Sequence, residues 1–370
     1  MVIESIKFNS FRPALARKLA KNLEYYDIHV CTSTEIDEYQ AYIRRHWDKG
    51  HIYGTSRALL DWQNFDKESN RYNIALARQR PTGEIHATLA FIPTRHFDDA
   101  IEHYDIWFGL TSCKNEIKAQ GLASHLVKYV AGLKGARSGA ALGLSSAGYR
   151  GLKKIGFKMG RLNHYYMVNE EVSSFFLIDR FDGRYRNAPA GVDGQRYLKK
   201  LEEQGILGAG SVLNDVSSCL PRKSLTYFRN RYLRHPYYKY DCYGVYDDVT
   251  ITEILVVREV SHKNAAALRV IDYYGPDNGL TGTASALQRL LRAYEAEYID
   301  FYNYGIDADV MRCTGMLLRG GQEGIIIPNY YEPFERRNVN IYYGYIGAEE
   351  GQYKIFKGDS DQDRASILAR

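Results

Sequence analysis

The stretch Thr111–Val130, TSCKNEIKAQGLASHLVKYV, follows the apolar run DIWFGL of Asp105–Leu110 and divides into two unlike halves. The first half is polar, whereas Leu122, Leu126, Val127 and Val130 recur at the spacing of one helix face. If Leu110 to Ser112 end a strand and Leu122 starts a helix, the backbone N–H groups of the turn point outward without partners, which makes an anion site. Gly121 lets the main chain come close to a phosphate, Ala123 keeps the helix start uncrowded, and Lys118 adds a positive charge suited to a pyrophosphate. The plainer alternative is an ordinary strand-to-helix connection whose glycine relieves a tight bend.

Before this stretch the chain reads as a strand IHVCTS (28–33), a helix from Glu35 through His46, and a second helix around SRALLDWQ (56–63). Strands YNIALARQ (72–79) and EIHATLAFIPT (84–94) follow, joined by a Pro-Thr-Gly turn. After it come a strand AALGLSS (140–146), a short helix AGYRGLKKIGF (147–157) and a last strand LNHYYMVN (162–169). This is a mixed α/β pattern around a mostly antiparallel sheet. Residues 170–222 read as a connector, with the Pro/Gly-rich RNAPAGVDGQ and one short helix over GQRYLKKLEEQGIL (194–207). From 223 to 370 the order of elements returns: helix SLTYFRNRYLR, strands YDCYGVYDD, TEILVVREV and AALRVIDYYG, helix ASALQRLLRAYEAE, strand YIDFYNYG, helix DADVMRCTGML, and strands near IIIPNYY and NVNIYYGYI. The second half repeats the first in outline and not in letters, so the expected organisation is a domain at 1–169, a linker at 170–222 and a second copy at 223–370.

The 370 residues are enough for two ordinary domains, and 45% apolar with 25% charged residues is a globular composition. The formal charge of +5 suits an anionic small molecule at least as well as a nucleic acid. No apolar run is long enough to cross a bilayer and no charged-then-apolar leader opens the sequence, so the expectation is a cytoplasmic protein without membrane insertion. Cys31, Cys113, Cys219, Cys242 and Cys313 are odd in number and show no C-x-x-C spacing, which speaks against a disulfide framework and against zinc. The 32 tyrosines crowd the second half; strand propensity accounts for most, leaving a minority to stack on sugar or base rings.

Lys118-Ala119-Gln120-Gly121-Leu122-Ala123 resembles the R/Q-x-x-G-x-G/A signature of the GNAT acyltransferases, with lysine at the first position. Some twenty residues on, LSSAGYRGLKKIGFKMG resembles the family's next segment, closing on Gly156-Phe157 before a strand. The resemblance spans Ile28 to Asn169 and implies an α/β (α+β) chain of two tandem GNAT-like domains, each a mixed, mostly antiparallel splayed sheet flanked by helices. It implies acyl-CoA as co-substrate, its pantetheine arm paired to the backbone of Leu110, Thr111 and Ser112. The pyrophosphate would sit on Lys118, Gln120, Gly121, Leu122, Ala123 and Ser124. Ser145 falls where the family often carries an asparagine that holds the thioester arm. One departure is evident: the tyrosine that often protonates the leaving thiolate falls at Leu152, so Tyr149, one turn earlier, is the candidate substitute, against a plain packing role.

A general base belongs near the strand gap. Asp105 matches a strand position where several family members place a carboxylate, and His86 on the neighbouring hairpin strand is the other candidate. Acceptors in the family enter over the segment between the first two helices, where His51, Tyr53, Arg57 and Trp62 are the lining candidates. For Trp62 the alternative is the apolar face of a helix with Leu59 and Leu60.

In the second half the corresponding turn PDNGLTGTASAL has glycines and no basic residue, so it reads as a degenerate copy that walls the acceptor. The segment KGDSDQDRA places Asp359, Asp361 and Asp363 before Arg364, able to meet an amino group and a phosphate; the glycine and distal glutamate of a calcium loop are missing, and no metal is expected. This architecture resembles bacterial nucleotide-sugar N-acyltransferases of surface-polysaccharide (lipopolysaccharide, O-antigen) synthesis. It implies transfer from acetyl-CoA or a short hydroxyacyl-CoA to a dTDP- or UDP-linked amino sugar, with no nucleic-acid partner, by a monomer or homodimer. The competing expectations are a Fem-like aminoacyltransferase and a non-catalytic acyl-CoA-binding scaffold.

Overall fold

A computed structural model describes residues 6–8, 17, 20, 21, 23–181, 187, 196–213, 219–276, 278–320, 324–347 and 353–364. The first sheet begins with β1 (Tyr26–Thr32), followed by α1 (Ile36–His46), α2 (Ile52–Thr55) and α3 (Arg57–Gln63). In α1 the buried Ile36, Tyr39, Gln40, Tyr42 and Ile43 fall on one face, with Asp37 and Glu38 at its start and Arg44, Arg45 and His46 at its end, where they favour the helix dipole. Next come β2 (Arg71–Gln79), β3 (Ile85–Pro93), β4 (Asp105–Cys113), α4 (Leu122–Leu133), β5 (Ser138–Leu142), α5 (Ser146–Lys154) and β6 (Lys158–Arg161). The strands β1 to β4 pair antiparallel in sequence order, and β4 pairs parallel with β5. A parallel neighbour requires a crossover, and α4 supplies it. Its Leu122, Leu126, Val127 and Val130 pack in one core with Ala75, Ala87, Leu89, Phe91, Ile106 and Phe108 of the sheet.

The same order recurs in a second sheet. It holds β7 (Asn163–Val168), β8 (Tyr197–Leu201), β9 (Asp241–Asp247), β10 (Thr250–His262), β11 (Ala265–Tyr274), α6 (Ala284–Ala293), β12 (Ala296–Tyr304) and β13 (Leu317–Leu318). The strands β8 to β11 pair antiparallel, and β11 pairs parallel with β12 across α6. Two mixed, mostly antiparallel sheets flanked by helices are the expected fold class. The helix expected over residues 194–207 is corrected: Tyr197–Leu201 is a strand, because Cys242–Tyr246 offers it a ladder, and among the described residues of this stretch the helix starts at Glu203 and runs to Gly208.

The boundaries at 169 and 222 are also replaced. β7 pairs with β12 in the second sheet, while β14 (Tyr342–Ile346) pairs with β5 in the first. A further strand, β15 (Ile355–Phe356), pairs with β12. One compact unit therefore comprises residues 1–160, 341–350 and 360–370, and the other 161–340 and 351–359. Hydrophobic pattern identifies Asn163–Val168 as a strand, but its choice of sheet is set by the edge that accepts it.

Candidate functional site

In the ladder between β3 and β4, Phe91 faces Phe108 and Leu89 faces Thr111, so Gly109 and Leu110 together stand opposite Ala90. This is a β-bulge, which re-aims backbone groups away from the ladder. On the other side the β4–β5 pairing ends at Phe108 and Ala141. A gap thus opens at the level of Leu110, Thr111 and Ser112.

Residues 360–364 of the first unit meet that gap. Ser360 Oγ donates to the Phe108 carbonyl at 3.4 Å, and the Leu110 N–H donates to Asp361 Oδ2 at 3.1 Å. The same oxygen accepts from the Tyr53 hydroxyl at 3.1 Å, and the Gln63 amide donates to Tyr53 in turn. Arg364 Nε lies 3.6 Å from Asp361 Oδ2, with the guanidinium 5.1 Å from the centre of the Tyr53 ring. A Cβ at Gly109 would lie 3.2 Å from the Asp361 carboxylate, which makes glycine the residue that lets the segment approach. Burial, then the charge of Asp361, raises the Tyr53 hydroxyl pKa well above its ordinary value and keeps it a donor.

His51 caps α2, its Nδ1 accepting the Tyr53 N–H at 3.2 Å. Burial, then Arg364, pushes its pKa down to about 4. An imidazole depressed in the folded state is protonated first in the unfolded chain, so stability is fully present above about pH 6.5 and falls as pH drops toward 4, by on the order of 3 kcal/mol. His51→Asn keeps a capping acceptor without a titrating group. Its urea midpoint should fall less steeply than that of the unchanged chain between pH 6.5 and 4; parallel profiles would refute this coupling.

At the turn, Asn115–Gln120 forms a 3-10 segment and Gly121 follows at φ 74°, the left-handed region that glycine adopts freely. Among the described residues no side chain caps α4, and no acidic residue occupies its first turn, so its first N–H groups and positive dipole end are placed for an anion. The side chains of Lys118 and Gln120 lie outside the described residues. Leu122 is buried, while Ala123 and Ser124 are half-buried at the helix start. Ser145 caps α5 by accepting the Gly148 N–H at 3.2 Å. Tyr149 is half-buried, its ring edge-on to Tyr342 at 5.7 Å, and Leu152 packs in the core.

Asp105 takes a structural place instead of a basic one. It is fully buried at the opposite end of β4, where Arg137 donates through Nε at 3.1 Å and Nη2 at 2.5 Å and Ser138 Oγ donates at 2.5 Å. His86 is half-buried, its Nδ1 3.1 Å from the Tyr26 hydroxyl, and burial lowers its pKa. Of the four acceptor candidates, His51 and Tyr53 join Asp361 and Arg364. Arg57 is held by Asp37 at 2.8 Å, Asp61 at 3.1 Å and Tyr72 at 2.8 Å, and Trp62 packs 5.1 Å from Phe97. Gln63 is the partner that sequence reasoning missed. It ends α3, donates to Asn64 Oδ1 at 3.3 Å, and is tied to the site through the buried Tyr53 hydroxyl.

The second unit repeats the bulge and fills the gap. Val256 faces Asp272 and Val257 faces Val270, leaving Ile271 extra. β15 pairs with Asn303 and Tyr304 of β12, and the Gly358 N–H donates to the Ile271 carbonyl at 2.8 Å. Asp359 belongs here and not with Asp361: Lys223 Nζ lies 2.6 Å from it and 2.8 Å from Asp272. The turn before α6 is occupied as well. Arg196 donates to the Gly279 carbonyl and to Glu253 Oε1, and a Cβ at Gly275 or Gly279 would run into the Glu253 side chain. Burial pushes the Glu253 carboxyl up to about 7. A carboxyl group inside this turn is the opposite of a phosphate cradle.

No family model and no curated protein sequence matches the chain. Solved structures do match it. A GCN5-related N-acetyltransferase from Anabaena variabilis superposes with a TM-score of 0.53 at 11% identity, over 86% of this chain and 72% of that one. A conserved protein of unknown function from Enterococcus faecalis, a probable N-acyltransferase, gives a TM-score of 0.50 at 9% identity, over 86% and 72%. At such identity the likeness concerns architecture, and on that level the chain has the fold of the GCN5-related N-acetyltransferases, consistent with its two similarly ordered sheets.

Proposed function

We propose that the chain is an acyl-CoA-dependent N-acyltransferase that binds its donor in the first unit and acylates the amine of a dTDP- or UDP-linked amino sugar. What carries this reading is the conjunction of a bulge in β4 against β3, a β4–β5 pairing that stops at Phe108 and Ala141, and an uncapped α4 start behind Gly121. A pyrophosphate there gains the free N–H groups and the positive end of the helix dipole. In this reading the Leu110 N–H at the bulge, once released by Asp361, polarises the thioester carbonyl as charge develops on its oxygen. The neutral amine attacks, the C–N bond forms, the C–S bond breaks, and CoA leaves as the thiol while the amine gives up its proton. The names of the two solved relatives, an N-acetyltransferase and a probable N-acyltransferase, agree with this chemistry. The nucleotide amino sugar rests on the tandem, tyrosine-rich character of the chain.

Calorimetry with acetyl-CoA should return one site per chain, since Glu253 and Arg196 fill the second turn. Gly121→Glu sets a charged side chain where the backbone must meet a phosphate and should weaken binding by about 100-fold. Two equivalent sites, or unchanged affinity in Gly121→Glu, would overturn the donor assignment. Thiol release measured over a panel of nucleotide amino sugars tests the acceptor; release with simple amines or peptides but none of the panel removes the nucleotide-sugar part.

A further inference from the structure

We propose that Asp361 is a specificity-determining residue that competes with the acyl group for the Leu110 N–H and so sets the balance between binding acyl-CoA and binding free CoA. This rests on the donor site described above. A backbone N–H bonds one acceptor well, and in the structure that acceptor is Asp361 Oδ2 at 3.1 Å. The bulge has removed Leu110 from the ladder, and the gap beside it is where Ser360 meets the Phe108 carbonyl. A Cβ at Gly143, just past β5, would collide with the Gln362 side chain, so the segment lies along the gap and not merely at its rim.

The arrangement has a physical reason in the empty protein. A buried N–H without a partner is expensive, and a carboxylate satisfies it with a charge-assisted bond. Release does not strand the carboxylate. The same oxygen, Oδ2, also meets the Tyr53 hydroxyl at 3.1 Å and Arg364 Nε at 3.6 Å, so when the Leu110 N–H passes to another acceptor that oxygen still has two partners and the segment need not withdraw. A thioester carbonyl arriving at Leu110 must displace the carboxylate, whereas free CoA carries no carbonyl at that position and need not. The chain therefore weakens the binding of its donor relative to its product.

The test is calorimetric titration of acetyl-CoA and of free CoA into the full chain, Asp361→Ala and Asp361→Asn, each checked for an intact unfolding transition. Asp361→Ala should raise the affinity for acetyl-CoA relative to free CoA by about tenfold, which corresponds to about 1.4 kcal/mol. Asp361→Asn keeps the shape and a neutral acceptor, and should move the ratio in the same direction by less. A variant that is only destabilised lowers both affinities together and leaves the ratio where it was. A ratio within about twofold of the unchanged chain in both variants overturns the competition while leaving the donor site standing. Failure of both ligands to bind the unchanged chain overturns the donor site, and the competition with it.

Discussion

A chain cut after Asn169, where the sequence alone places the end of the first domain, is expected to show no cooperative unfolding transition. The cut removes β14, whose Tyr343, Tyr345 and Ile346 are buried in the first unit, and residues 360–364 with it. Each buried large side chain contributes roughly 1.5–3 kcal/mol, against a net stability of about 5–15 kcal/mol for a domain. Loss of the strand also bares the edge of β5, an open template for aggregation, while β7 remains without the β12 it pairs with. Circular dichroism in urea checks this. A sigmoidal transition with retained acetyl-CoA binding would mean that β14 is dispensable.

Lys223→Met should cost about 3–5 kcal/mol, the usual consequence of leaving buried charge unpaired. Lys223 is buried between Asp272 and Asp359, both fully inaccessible, and Tyr232 donates to Asp272 at 2.5 Å. Methionine fills the volume of the lysine stem, so the loss is electrostatic and not a cavity. The pH dependence distinguishes the two. Burial first, then the neighbouring Asp272, raises the Asp359 carboxyl, and Lys223 opposes this; without the lysine it rises further. A carboxyl raised in the folded state takes up its proton there first, so stability falls as pH rises from the unfolded value of about 4 through the folded one. The variant's deficit should accordingly be larger at pH 8 than at pH 5. A pH-independent deficit would mean lost packing, and an unchanged urea midpoint would mean the carboxylates never depended on Lys223.

What the sequence makes legible here is local. α4 shows itself because four apolar residues fall on one face, and Gly121 because only a glycine suits a left-handed turn between a strand and a helix. The strands that follow one another in the sheet are found because hairpin partners are sequence neighbours. Tyr197–Leu201 is missed because YLKKL fits a helix and an edge strand equally well until a ladder partner is known. Asp105 misleads for a related reason: its place before a strand is visible, and the Arg137 that consumes it, 32 positions later, is not. Asp361 is legible as an unusual acid, but its partner Leu110 stands 251 positions away, beyond any periodicity.

The interleaving of the two units also orders their completion during synthesis. Residues 1–160 leave the ribosome first, yet their sheet waits for 341–346 and their cleft for 360–364. At about 5–20 residues per second, the roughly 180 residues between Gly160 and Tyr342 represent about 9–36 s in which β5 has an open edge. The second unit, begun later, needs only β15 and the residues through Asp359 to close its own gap. The unit that starts first is therefore finished last, and a chaperone that shields sheet edges would have its longest engagement with β5.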